Sequence, residues 1–182
     1  MNSLDRLIQR LRFREAAKYI PVGARLLDVG SDDGSLFSYL GARIAPSVGV
    51  DPNAPTVSLA GGHRLVAGFV DDVTPDLGPF DCCTVLAVLE HLHDEELLAL
   101  GQSLMDRISS TGVLVATVPS PAVDPILDVL MRLRLLDGME VDQHHGVPVA
   151  HIPEVLGDAG WKLRLEQRFE LGLNNLLVFD RA

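Results

Sequence analysis

The stretch at residues 26–36, Leu-Leu-Asp-Val-Gly-Ser-Asp-Asp-Gly-Ser-Leu, constrains the fold more than any other part of the chain. Its first half is apolar except for Asp28, which predicts a buried strand of a parallel sheet. Gly30 and Gly34 then allow a tight turn with close backbone approach. Apolar residues at helical spacing predict a helix at about 35–44. Strand, glycine turn and helix together place free backbone N–H groups beneath a ligand that lies across the strand ends.

The second strand strengthens this interpretation, because it ends in an acid. Residues 47–51 read as a strand, and Asp51 follows Asp28 by 23 positions, where a doubly wound fold places the acid that binds a ribose diol. Asp28 disfavours a pyrophosphate and suits a ligand that carries an amine and a positive charge. The alternative is an ordinary strand-to-helix corner, which occurs in any α/β protein.

The motif Asp28-Val29-Gly30-Ser31-Asp32-Asp33-Gly34 resembles the first motif of the class I S-adenosylmethionine-dependent methyltransferases. That motif has an acid, an apolar residue and glycines at alternating positions. Asp32 replaces the usual middle glycine, and a carboxylate there could crowd or repel the carboxylate of the ligand. A second stretch, residues 80–92, is similar to the family's fourth strand, which opens with Phe-Asp and ends in apolar-apolar-Glu-His.

The resemblance implies a single domain over residues 1–182, with an N-terminal helix at 1–20 and a core at 24–179. The implied fold is an α/β, doubly wound, Rossmann-like sheet with helices on both faces. It has seven strands, six parallel and one antiparallel. The cofactor would be S-adenosyl-L-methionine, bound by Asp28, Gly30, Ser31, Gly34, Asp51, Pro52, Phe69, Val70, Ala87 and Glu90.

Methyl transfer to a hydroxyl group needs positioning and a base, and histidine has a suitable pKa. The candidate catalytic residues are His91, at the end of the fourth strand, and His144 or His145, where family members often carry a histidine. His93 is a further candidate. Alternatively, Glu90 only fixes the geometry of its loop and His91 caps the next helix. No metal is expected, because Ala87 stands where metal-binding relatives have a glutamate.

Two apolar features have two interpretations each. Phe69 follows Gly68 where the family commonly has an acid near the adenine amino group, so it either stacks on adenine or belongs to the core. The leucine-rich segment at 127–136 has apolar residues on more than one side. It is either core or the wall of an apolar acceptor pocket.

The remaining pattern predicts alternating helices and strands. Helices are predicted at 3–19, 54–60, 95–108 and 149–159, with Asp94 as the N-cap of the third. Strands are predicted at 63–66 and 113–118. Two further strands, at 162–170 and 173–179, are predicted to form an antiparallel pair joined through Gly172.

Composition limits the partners. The net charge of −10 and scattered basic residues argue against nucleic acid, and Arg6, Arg10, Arg12 and Arg14 are interpreted as the solvated face of a helix. Adjacent Cys82 and Cys83 should point to opposite faces of a strand and cannot easily form a disulfide, which favours a reducing compartment. No signal peptide or membrane span is evident, so a cytoplasmic protein is expected. The sequence does not predict the oligomeric state.

Three functional hypotheses remain open. The first is a methyltransferase for a small-molecule or lipid- or sugar-type acceptor, acting at oxygen or carbon. The second is a catalytically degenerate S-adenosylmethionine-binding module, suggested by Asp32 and Phe69. The third is an NAD-type oxidoreductase, which Asp28, Asp32 and Asp33 disfavour because its first loop must accept a phosphate.

Overall fold

The computed structural model describes residues 3–120 and 147–182 of the chain. The described part alternates strands with helices. The strands are β1 (Leu26–Val29), β2 (Val48–Asp51), β3 (Val57–Ser58), β4 (Arg64–Ala67), β5 (Phe80–Leu86), β6 (Ile108–Pro119), β7 (Trp161–Phe169) and β8 (Asn174–Arg181). The helices are α1 (Ser3–Ala16), α2 (Ser35–Leu40), α3 (Asp94–Met105) and α4 (Ile152–Asp158).

All eight strands of the described residues form one mixed sheet in the order β3-β4-β2-β1-β5-β6-β8-β7. The central strands β4, β2, β1, β5 and β6 are parallel, whereas β3 and β8 run against them. The doubly wound architecture is therefore confirmed, with the strand order reversing between β1 and β5. The predicted count of seven strands was wrong, because the two-residue strand β3 adds an edge beside β4.

The sheet separates two layers of hydrophobic core. Alternation along β5 shows this, since Cys83 packs in the layer that contains α3 and α4, and Cys82 packs in the layer that contains α1 and α2. Both cysteines are buried and free, as expected for neighbours on a strand. Phe13 and Ala16 of α1 lie in the second layer, so the N-terminal helix packs on the sheet. No helix of the described residues is long and apolar enough to cross a membrane.

The largest error of secondary structure concerns residues 54–60, which were predicted to be helical. They contain β3 and lead into a 3₁₀ turn at Ala60–Gly62. The β-branched Thr56 and Val57 favour extended backbone, and the left-handed Gly61 and Gly62 prevent a helix from continuing.

Other boundaries moved by a few residues. Helix α1 ends at Ala16, α2 ends at Leu40 before the left-handed Gly41, and α3 ends at Met105 because β6 already begins at Ile108. His93, not Asp94, is the N-cap of α3, and its backbone N–H donates to Glu96 Oε2 at 2.8 Å. The predicted β7–β8 hairpin is present, whereas the segment at 127–136 lies outside the described residues.

One buried serine ties together the beginnings of three parallel strands. The hydroxyl of Ser47 accepts the backbone N–H of Leu26 at 3.0 Å and donates to the carbonyl of Ala45 at 2.7 Å. The backbone N–H of Ser47 donates to His63 Nδ1 at 3.1 Å. These bonds fix the relative position of β1, β2 and β4 and hence the register in which Asp28 and Asp51 emerge.

Replacement of this serine should destabilise the sheet. Ser47→Ala leaves the buried N–H of Leu26 without its acceptor, so we expect the free energy of unfolding to fall by about 1–3 kcal/mol. This free energy is measured by urea denaturation monitored by circular dichroism. Ser58→Ala, a change on the exposed edge strand, is the matched control and should be close to neutral. An unchanged unfolding midpoint in Ser47→Ala would contradict the proposed linkage.

Candidate functional site

The glycine loop after β1 folds back over the end of β2. The backbone N–H groups of Gly30 and Ser31 both donate to the carbonyl of Val50, at 2.9 and 3.3 Å, and Gly34 N–H donates to the carbonyl of Ser31 at 2.8 Å. Gly30 and Gly34 both have φ of 74°, a left-handed conformation that favours glycine. The loop is thus held in one tight shape before α2 begins.

Packing within the protein also requires both glycines. A Cβ on Gly30 would overlap Val88 Cγ2 in the segment after β5, and one on Gly34 would lie 2.6 Å from Leu59 Cδ1. From the sequence, Gly30 was explained by a tight turn and by close approach of a ligand. The structure adds a steric reason, which links the loop after β1 to the loop after β5.

Asp32 replaces the family's middle glycine without disturbing the loop. It has φ of 46°, the left-handed conformation that a glycine would adopt there, and aspartate tolerates that region better than most residues. Its side chain is exposed. Its backbone N–H donates to Asp51 Oδ2 at 3.2 Å, so this residue helps to hold the acid at the end of β2.

Asp51 is fixed by two backbone donors. In addition to the bond from Asp32, Asp51 Oδ1 accepts the N–H of Asn53 at 2.7 Å. Each carboxylate oxygen keeps a further lone pair for another donor. The exposed Pro52 follows directly and starts the turn away from the sheet. The structure therefore presents Asp51 as a preoriented acceptor beside the glycine loop.

Asp28 is buried in the sheet, with 4% of its surface exposed. The hydroxyl of Thr84 on β5 donates to Asp28 Oδ1 at 2.6 Å. The pKa of Asp28 is raised to about 7, chiefly by burial; the hydrogen bond from Thr84 opposes this shift and the charge of Asp51 adds to it. A cationic group close to Asp28 would favour its ionised form.

Ser31 carries a buried polar atom at the same place. Its Oγ has no hydrogen-bond partner within the described part of the chain. A Cβ on Gly49 of β2 would lie 2.6 Å from this Oγ, so Gly49 makes the space that Ser31 fills. Sequence analysis did not single out Gly49, although a glycine inside a short Val-Gly-Val strand is a known sign of close approach.

The two apolar site residues after β4 have different environments. Val70 is buried in the core, whereas 69% of the Phe69 surface is exposed. The interpretation of Phe69 as a core residue was therefore wrong. Its backbone N–H donates to Asp72 Oδ2 at 2.8 Å, which fixes the turn that presents the ring.

The loop after β5 brings Ala87, Glu90 and His91 to the same edge of the sheet. Ala87 has φ of 58° and donates its N–H to the carbonyl of Thr117 at 2.9 Å. Glu90 is buried and His91 is exposed, both in a 3₁₀ turn at Leu89–His91. His144 and His145 lie outside the described residues. Within residues 3–120 and 147–182, no group of three or more His, Cys, Asp or Glu could hold a metal ion.

Arg12 was interpreted as part of a solvated helix face, but it is only partly exposed and its Nε is buried. Burial lowers the pKa of Arg12, and the charges of Glu90 and Glu170 oppose that shift. The available signal was its spacing, because Arg12 lies four residues from both Ile8 and Ala16, on the apolar stripe of α1.

Comparison with known proteins agrees with this geometry. Residues 2–165 match the model of a family described as a methyltransferase domain. None of the curated proteins searched matches the chain.

Solved structures share the fold at low sequence identity. The Burkholderia thailandensis 1,6-didemethyltoxoflavin-N1-methyltransferase, with bound 1,6-didemethyltoxoflavin and S-adenosylhomocysteine, has a TM-score of 0.69 and 17% identity over 94% of this chain and 78% of its own. The magnesium protoporphyrin IX methyltransferase of Synechocystis PCC 6803, with bound S-adenosylhomocysteine, has a TM-score of 0.65 and 18% identity, covering 100% of this chain and 89% of its own.

A third structure is an O-methyltransferase from neocarzinostatin biosynthesis, in complex with S-adenosylmethionine and 2-hydroxy-5-methyl naphthoic acid. It has a TM-score of 0.66 and 22% identity over 92% of this chain, which spans 52% of that protein's length. Because the family match covers most of the chain and the fold agrees with it, the chain belongs to the methyltransferase domain family and has the fold of these methyltransferases solved with S-adenosylhomocysteine.

Proposed function

We propose that this protein transfers a methyl group from S-adenosylmethionine to a small-molecule acceptor, which includes lipid- and sugar-type acceptors, at oxygen or carbon. The observation that carries the proposal is the Asp51 carboxylate, fixed by the N–H groups of Asp32 and Asn53 beside the glycine loop. The similarity to an O-methyltransferase solved with a hydroxynaphthoic acid supports oxygen as the methylated atom.

The residues at this edge of the sheet fit the cofactor. Asp51 has lone pairs left for the two ribose hydroxyls, and Ser31 offers a buried hydroxyl with no partner in the described ranges. Asp28 provides negative charge for the amine and the sulfonium. The exposed ring of Phe69 is available for stacking on adenine. Gly30, Gly34, Pro52, Val70, Ala87 and Glu90 complete the proposed cofactor site.

S-adenosylmethionine supplies an already activated methyl group. The chain therefore needs only to bind and orient the two reactants and to exclude water from them. For a hydroxyl acceptor it must also remove a proton. We propose His91 as that base among the described residues, because it is exposed at the end of β5. His144 and His145 are proposed alternatives.

The proposed function predicts the ligand preference of the purified protein. Isothermal titration calorimetry should detect binding of S-adenosylhomocysteine and no comparable binding of NAD, because acidic side chains surround the glycine loop and repel a pyrophosphate. Binding of NAD in preference to S-adenosylhomocysteine would contradict the proposal. A screen of methyl acceptors with radiolabelled S-adenosylmethionine then separates an active enzyme from a protein that only binds the cofactor.

Asp51→Ala should weaken binding of S-adenosylhomocysteine. Loss of a charged partner for the ribose hydroxyls costs about 1–3 kcal/mol, which corresponds to a Kd raised by roughly 5- to 150-fold. Calorimetry measures the change, and Asp106→Ala, an exposed acid after α3, is the control. Equal affinity of the Asp51 variant and the wild type would show that the ribose binds elsewhere.

Affinity for S-adenosylhomocysteine should also depend on pH through Asp28. The pKa of Asp28 is raised to about 7 in the free protein. The ligand's ammonium group favours the ionised carboxylate and lowers this pKa, so binding releases a proton below about pH 7 and affinity falls with decreasing pH. Titrations between about pH 6 and 8 should show this slope in the wild type and in Asp106→Asn. If the pH dependence of the affinity persisted in Asp28→Asn, it would have to come from another titratable group.

A further inference from the structure

A buried charged cluster lies at the sheet edge where β5 and β6 end. Arg12 of α1 is close enough to Glu90 and Glu170 for both carboxylates to oppose the lowering of its pKa. Glu170, in the turn between β7 and β8, also accepts a hydrogen bond from Asn174 Nδ2. The cluster joins the N-terminal helix, the loop after β5 and the last hairpin of the sheet.

The pairing register of β6 and β8 places Thr117 of β6 in the same cluster. Asn174 is paired with Pro119, and Thr117 with Leu176, so the side chains of Thr117 and Asn174 are diagonal neighbours on one face. Leu176 packs in the core layer that contains Phe13 of α1, which identifies this face as the one under the N-terminal helix. The carbonyl of Thr117 accepts the N–H of Ala87 at 2.9 Å, which places it beside the loop that carries Glu90.

Several polar atoms of this cluster are buried without a hydrogen-bond partner within residues 3–120 and 147–182. They are Thr117 Oγ1, Glu170 Oε1, Asn174 Oδ1 and Arg12 Nε. Thr117 and Asn174 are almost completely buried, at 0% and 3% exposure. Buried polar groups are nearly always satisfied in folded proteins, so a concentration of unpartnered atoms at one place indicates a ligand.

The chemistry of the unpartnered atoms selects the kind of ligand. Glu170 Oε1, when the carboxylate is ionised, and Asn174 Oδ1 can only accept hydrogen bonds. The Thr117 hydroxyl can accept or donate a hydrogen bond. Arg12 Nε–H is the single obligatory donor, and the charges of Glu90 and Glu170 already act on its guanidinium. Glu15, the next acidic residue of α1, has its own partners in Arg14 and Lys18. A carboxylate ligand would face the carboxylate of Glu170, whereas an ammonium group would donate to Glu170 Oε1, Asn174 Oδ1 and Thr117 Oγ1.

We propose that Arg12, Thr117, Glu170 and Asn174 form the recognition site for the methyl acceptor, and that this site selects acceptors that present a cationic hydrogen-bond donor such as an ammonium group. This inference rests on the proposed methyl transfer. The recognised group is distinct from the methylated atom, which must approach the cofactor beyond the end of β5. Arg12 is a positioning residue in this arrangement, because its charge acts on the carboxylate of Glu170.

The test uses matched amines and carboxylates on the same carbon frame, added to the full chain saturated with S-adenosylhomocysteine. The pairs are benzylamine and benzoate, cyclohexylamine and cyclohexanecarboxylate, and tyramine and 4-hydroxyphenylacetate. Saturation-transfer NMR should detect at least one amine, bound about tenfold more tightly than its matched carboxylate. Absence of binding by all three amines, or equal binding of acids and amines, would overturn the proposal.

Two variants assign the selectivity to the cluster. Glu170→Gln keeps the size of the side chain and removes its charge, so amine affinity should fall about tenfold while S-adenosylhomocysteine affinity stays within about twofold. Glu166→Gln makes the same charge change on the exposed side of β7 and should alter neither. Loss of amine binding in both variants would indicate general electrostatic attraction and would contradict a specific site.

Thr117→Val separates recognition from folding. The substitution conserves shape and removes a buried hydroxyl that has no partner in the described residues, so the melting temperature should be unchanged or higher and amine binding weaker. A lower melting temperature with unchanged amine binding would mean that the hydroxyl has a structural role, which contradicts the proposal. If the wild-type chain binds no S-adenosylhomocysteine, the proposed methyl transfer fails instead, and the two failures are distinguishable.

Discussion

The functional edge of the sheet depends on two hydrogen bonds that the loop after β1 makes to a single carbonyl, that of Val50 on β2. They fold Gly30 and Ser31 over the end of the neighbouring strand and bring Asp32 within reach of the Asp51 carboxylate. The loop, Asp51 and the buried Asp28 thereby take fixed relative positions. The geometry is internal to the protein, so a ligand that binds at this edge would meet a surface that is already organised.

Local patterns in the sequence predicted what is locally determined. Apolar runs in the sequence predicted the strands. The glycine motif, and the acid at the end of the second strand, predicted that Asp28, Gly30 and Asp51 lie at one edge of the sheet. Parallel strands share their carboxyl edge, which is why the Glu90 loop after β5 could be assigned to the same region. These inferences need only periodicity and the topology of a doubly wound sheet.

The errors came from contacts between distant segments. Arg12 was assigned to solvent because the carboxylates that act on it, Glu90 and Glu170, lie far along the chain, which no local pattern reports. Phe69 could be core or exposed, because an aromatic residue after a glycine fits both until the turn is known. Strand β3 was missed because a two-residue strand has too few positions to show alternation and is created by pairing with β4.

The fit between Gly49 and Ser31 has an evolutionary consequence. The methyl group absent from Gly49 is the volume in which the Ser31 side chain lies, with Leu65 closing the same space. A larger residue at position 49 is therefore compatible with the loop only if position 31 loses its side chain and position 65 becomes smaller. Among sequences that keep this loop, positions 31, 49 and 65 should vary together. A substitution in the interior of β2 would then change which side chains fit in the glycine loop.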